Sequence, residues 1–183
     1  MTIAQSASRA AARVLPGIAQ VRAQTAPFAQ AWQAANAEAP LRVVNLSVTG
    51  ARIRDVLDRQ AAALADLGDD VALVTVLAGA NDMYPRARRA YAPRAMAELL
   101  DVLPPRRTVV ATMPRRNQAA LAVNAVLDDA ARRGVIALAD LRGITVRSLV
   151  GTLAADMFHL NERGYAALAD TFDHAIPTRL HGR

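Results

Sequence analysis

The chain has 183 residues, a net charge of +6 and no cysteine, which excludes a disulfide framework and a thiolate metal site. All 22 basic residues are Arg, scattered in pairs, and aromatic residues make up 4%, a composition that fits solvated helix ends and loops better than a nucleic-acid surface. Over half of the residues are apolar, enough for one domain with a sizeable core, yet no run approaches the length of a membrane span.

Residues 1–37 stand apart: they contain no acid and are rich in Ala, Arg, Gln and Ser. Three origins fit this composition: an organellar transit segment, an Ala-rich helix broken at Leu15-Pro16-Gly17, or a misplaced start or shifted reading frame. Helical spacing over Ile18 to Asn36 puts Phe28 and Trp32 on one face. No secretory signal is visible, so a cytoplasmic location is expected.

From Pro40 the pattern is regular. Leu41 to Leu46 reads as a buried strand, Gly50 as a turn, and Ala51 to Leu67 as a helix with Ile53, Val56, Leu57, Leu64 and Leu67 on its apolar face. Val71 to Leu77 is a second strand, closed by Gly79-Ala80-Asn81-Asp82. A helix follows over Arg88 to Val102, stopped by Pro104-Pro105. Thr108 to Met113 is a third strand, Asn117 to Arg133 a helix with Gly134 as its stop, and Val135 to Asp140 a fourth strand. Glu162 to Ile176 is the last helix. The expected organisation is an atypical segment 1–39, a domain over 40–176 and a tail over 177–183. Strands alternating with helices imply βαβ units and a parallel sheet covered on both faces, whose ligands gather at the carboxyl ends of the strands.

Three stretches fall on that rim. Gly50 follows a strand and offers a backbone N–H unobstructed by a side chain. Asn81 offers an amide that can donate to a developing oxyanion. Asp156 and His159 are spaced as a carboxylate and the imidazole it orients, leaving the other ring nitrogen as a base. Each residue alone also fits an ordinary turn, cap or exposed helix start. Their order and common placement favour a site. A metal role for Asp82, Asp156 and His159 lacks a second His or a carboxylate cluster to complete it, so neither metal nor cofactor is expected.

This constellation resembles the SGNH hydrolases, the GDSL-type esterases and lipases. Asn45-Leu-Ser-Val-Thr-Gly-Ala-Arg-Ile-Arg-Asp55 is similar to that family's second block, Gly79-Ala-Asn-Asp82 to its third, and Asp156-Met-Phe-His159, followed by Asn161 and Gly164-Tyr165, to its fifth. The resemblance spans residues 40 to 176. It implies an α/β, three-layer flavodoxin-like fold and metal-free hydrolysis of a small ester through an acyl-enzyme. Gly50 and Asn81 would then form the oxyanion hole, Asp156 would orient, and His159 would be the general base.

Two departures stand out. Leu160 replaces the Pro that usually follows the family's His. The Gly-Asp-Ser of the first block, which ends the first strand and supplies the nucleophile, is nowhere in the sequence, nor is a Gly-x-Ser-x-Gly elbow. Ser6 and Ser8 are nucleophile candidates by spacing alone. Ser47 lies within the second block, and Ser148 has no supporting motif. Residues 1–15 are poor strand material, with Ile3 and Val14 their only β-branched apolar residues. The first strand is therefore expected to be missing or scrambled: either residues 1–15 supply a makeshift strand between those at Leu41 and Val71, or a gap is left there, and in both cases low stability and little esterase activity are expected. The alternative to an esterase is a binding module of the same fold, or a product without its nucleophile.

Overall fold

A computed structural model describes residues 2–6, 41–69, 71–83, 90–114, 117–144, 150–155 and 160–176. Its five strands are β1 (Thr2–Ser6), β2 (Leu41–Asn45), β3 (Val71–Val76), β4 (Thr108–Ala111) and β5 (Ala137–Ala139), in the sheet order β2-β1-β3-β4-β5. Helix α1 joins β2 to β3 and is built in three pieces, Ile53–Asp55, a π turn Val56–Gln60, and Ala61–Ala65. Helices α2 (Ala92–Val102), α3 (Gln118–Arg132) and α4 (Glu162–Ala175) complete the described elements. None of these helices is long and apolar enough to cross a membrane.

The strands carry β-branched residues because both sheet faces are covered. All four residues of β4 are buried. Alternate residues point to opposite faces. Val74, Val76 and Val110 pack with Ile53, Met96, Leu99, Val123 and Leu127 in one apolar cluster under α1, α2 and α3. Leu73, Val109, Ala111 and Ala139 pack with Leu168 and Ile176 on the α4 side. This is a three-layer arrangement, with β3, β4 and β5 parallel.

The slot between β2 and β3 is not empty. It holds β1, which pairs antiparallel with both neighbours, Thr2 opposite Asn45 and Thr75 and Ser6 opposite Leu41, with a register shift after Ala4 on the β3 side. Of the two expectations for this slot, a gap or a makeshift strand from residues 1–15, the structure shows the strand. Two strands with unpaired backbone groups recruit a segment of indifferent propensity, because an unmade buried hydrogen bond costs more than weak β preference. The sheet is consequently mixed, and Thr2–Ser6 joins it from the segment set apart by composition.

Asn124 of α3 fixes the exit from β4. Its carboxamide oxygen accepts from the Met113 N–H at 2.7 Å and its nitrogen donates to the Met113 carbonyl at 3.0 Å, both buried. Asn124→Ala leaves that peptide's donor and acceptor unpaired. We expect it to lose about 2–4 kcal/mol of unfolding free energy, read from urea denaturation; a loss within error would remove this role. At the end of β5, Asp140 accepts from Thr112 Oγ1 at 3.0 Å and pairs with Arg142, whose guanidinium also grips Asp128. Arg142 holds the Asp140 carboxyl well below the usual carboxylate range.

Candidate active site

The loops after β2 and β3 meet at the carboxyl end of the sheet. After β2 the chain turns through Val48–Ala51, closed by the Ala51 N–H donating to Val48 O at 3.1 Å. Gly50 sits third in that turn with φ +77°, a conformation that favours glycine. After β3 the chain makes a 3-10 turn over Ala80–Met83. Gly79 enters it at φ +106°, a conformation that favours glycine, and a Cβ there would stand 2.9 Å from Met113 Sδ, so the Met113 side chain would have to yield.

Asn81 is exposed, and its Nδ2 donates to Ala51 O at 2.9 Å. That bond occupies one of the two amide hydrogens and sets which way the carboxamide faces, so the second hydrogen has a fixed direction. Asn81 and Gly50 are thereby brought together. Asp82 is fully buried, and its Oδ2 accepts from the Ile53 N–H at 3.0 Å at the start of α1. Burial raises the Asp82 carboxyl above its ordinary value, opposed by the Ile53 N–H, the Tyr91 side chain and the Arg52 charge. Oδ1 is buried without a hydrogen bond of good geometry, although Tyr91 lies close enough to favour the ionised form. Val48 and Leu77, on these same two loops, are 61% and 49% exposed and give the rim an apolar edge.

Asp156 and His159 lie outside the described residues, as do Ser8 and Ser148. The residues flanking 156–159 are held firmly. Leu153 and Leu160 form an isolated antiparallel bridge, and the Asn161 N–H donates to Thr152 O at 2.8 Å. The Asn161 side chain accepts from the Gly164 N–H, capping α4, and donates to Gly151 O and Leu153 O. This explains physically why an Asn two residues after the His belongs to the pattern: it ties the preceding loop to the helix that follows.

Ser6 is placed at the other end of the sheet. It stands opposite Leu41, four residues from Asn45, roughly 13 Å along the strand from the rim at the usual rise per residue. This placement speaks against Ser6 as the nucleophile. Ser47 is exposed just after β2, its N–H bonded to Asn45 Oδ1 at 2.9 Å. The contribution of Asp82 was not legible in sequence, because its partner lies 29 residues away and no local signal links the two.

An α/β sandwich whose β2, β3, β4 and β5 run the same way, with these loops at their carboxyl rim, has the architecture of the SGNH hydrolases. The model of the GDSL-like Lipase/Acylhydrolase family matches residues 8–167, and the chain belongs to that family, whose members are acyl hydrolases. No curated protein and no solved structure was found to match the chain.

Proposed function

We propose that the protein is a carboxylic ester hydrolase in which Gly50 N–H and Asn81 Nδ2 stabilise the oxyanion, while His159, oriented by Asp156, serves as the base. The observation that carries this reading is the Asn81–Ala51 bond, which sets a side-chain donor beside the Gly50 turn at the carboxyl rim. The role of such donors is to meet charge that develops only in the transition state, in a geometry fixed beforehand. A base of the Asp-His kind takes the proton of a serine as its Oγ attacks the ester carbonyl, and returns it to the leaving alkoxide. The apolar edge from Val48 and Leu77 suits a small uncharged acyl group.

The orientation of β1 favours a second reading, a member of the fold without its own nucleophile, since the central strand carries Ser6 away from Gly50 and Asn81. A fluorophosphonate probe followed by peptide mapping separates the two. The hydrolase reading expects one serine adduct that disappears in His159→Ala; an unlabelled chain supports the second reading. Where turnover is measured, Asn81→Ala is expected to lower kcat on p-nitrophenyl acetate by about 10²–10³ with KM nearly unchanged. An unaltered kcat would remove Asn81 from the oxyanion hole.

A further inference from the structure

The helix that follows Gly50 has an unusual residue at its N-cap position. The residue before Ile53 is Arg52, which has none of the side-chain acceptors that normally satisfy the first amides of a helix. Two carboxylates supply acceptors instead, one from the first turn of the helix itself and one from another loop. Asp55 Oδ2 accepts from the Arg52 N–H at 3.0 Å, and Asp82, from the loop after β3, accepts from Ile53 N–H.

Asp82 is adjacent to Asn81 in one 3-10 turn, and the two side chains grasp opposite backbone groups on either side of Arg52. Asn81 donates to the carbonyl of Ala51, and Asp82 accepts from the amide of Ile53. A two-point hold of opposite polarity prevents the Ala51–Ile53 segment from sliding or rotating relative to Asn81. Gly50 is attached directly to that segment, in a left-handed conformation with open space around it. No side chain there could anchor it, so Gly50 is held by the turn that Ala51 N–H closes on Val48 O and by its attachment to the gripped segment.

We propose that Asp82 is the positioning residue of the oxyanion hole: its buried carboxylate, bonded to Ile53 N–H, fixes the direction in which Gly50 presents its amide beside Asn81. This rests on the reading of Gly50 and Asn81 as oxyanion donors. Asp82 touches no substrate and acts through the backbone. Oxyanion donors must lie within about 2.7–3.1 Å of the oxygen they stabilise, so a loop free to shift by an ångström would lose most of its effect. The titratable groups facing Asp82 are Arg52 from the segment it holds and the Tyr91 hydroxyl from the start of α2; Arg52 also pairs with Asp55.

The test uses the full chain and reads backbone amides, so it does not depend on turnover. In Asp82→Ala, hydrogen exchange at Ile53 N–H should accelerate by roughly tenfold to a hundredfold relative to Val110 N–H, as expected for loss of a bond to a charged acceptor. The Gly50 amide resonance should shift as well. Asp82→Asn keeps an acceptor oxygen and should restore slow exchange at Ile53. In the wild type the Gly50 and Ile53 amide shifts should titrate together with the Asp82 carboxyl, and in Asp82→Asn that titration should vanish. Should Asp82→Ala fail to fold, the titration and its loss in Asp82→Asn decide alone. Unmoved Gly50 and Ile53 amides in Asp82→Ala would overturn the proposal, as would Gly50 shifts that ignore the Asp82 titration or acceleration shared equally by Val110. Failure here leaves the hydrolase reading standing, since the probe labelling tests that reading separately.

Discussion

On the reading without a nucleophile of its own, a chain carrying an added strand that ends in Gly-Asp-Ser immediately before Met1-Thr2 is expected to hydrolyse p-nitrophenyl acetate on the order of 10⁴–10⁶ times faster than the 183-residue sequence, the range associated with gain or loss of a triad nucleophile. The proposed oxyanion donors, Gly50 N–H and Asn81 Nδ2, meet at the carboxyl rim, and on that reading a hydroxyl at the end of the central strand would complete the site. The central slot lies between Asn45 and Thr75, the last residue of β2 and the last but one of β3. A parallel strand in that slot would finish at the carboxyl rim, where Gly50 and Asn81 are joined through Ala51. The antiparallel β1 finishes instead at Ser6 opposite Leu41, at the amino end. The extended chain should also resist heat better, because a full parallel strand would replace a five-residue one whose register breaks after Ala4. Melting temperature and initial rate are the two measurements. Full labelling of the unextended chain, abolished by Ser6→Ala or Ser8→Ala, would show that the nucleophile lies in residues 1–15 and would sink this expectation.

The sheet was legible wherever its strands are buried on both faces. Val71–Val76 and Thr108–Ala111 are runs rich in β-branched residues because helices cover both sides, and such runs announce themselves without reference to the partner. Helix limits were legible where chemistry punctuates them: Asn117 caps α3 by accepting from the Ala120 N–H, and Gly134 ends that helix at φ +69°. The strand at Thr2–Ser6 was not legible. Only Thr2 and Ile3 of its five residues favour a strand, and its direction is set by the two neighbours that need pairing rather than by anything local. The same holds within the site. Gly50 and Asn81 could be picked out by type and order, but the bond from Asn81 to Ala51 and the buried hold of Asp82 on Ile53 join stretches about 30 residues apart. Long-range polar contacts of this kind leave no periodicity to read. The π turn at Val56–Gln60 falls in the same class: the apolar spacing of α1 showed a helix, and nothing in that spacing marked the extra residue in its middle.

His159→Ala, made in a chain that labels with the fluorophosphonate probe, is expected to lower kcat by a thousandfold or more, with Asp156→Asn falling in the same range. The loss should be chemical rather than structural. The residues on either side of 156–159 are held by bonds that the substitution leaves in place: the Leu153–Leu160 bridge, the Asn161 N–H to Thr152 O, and the Asn161 side chain to Gly151 O, Leu153 O and Gly164 N–H. Helix α4 should keep its cap and its packing through Leu168 and Ile176 against β4 and β5. Unfolding free energy is therefore expected to stay within about 0.5 kcal/mol of the parent, as for substitutions away from core, cap and buried network. The pH–rate profile supplies the discriminating readout. A histidine base makes kcat/KM fall as pH drops through the range where imidazole gains its proton, because only the neutral ring accepts the proton of the attacking hydroxyl. In His159→Ala that acidic limb should flatten while the residual rate persists, carried by the oxyanion donors alone. A variant that retains both its rate and its acidic limb would place the base elsewhere. The nearest alternative is then His174, an exposed residue of α4 whose Nδ1 lies 2.6 Å from Asp170 O, and His174→Ala would be the variant that loses the limb.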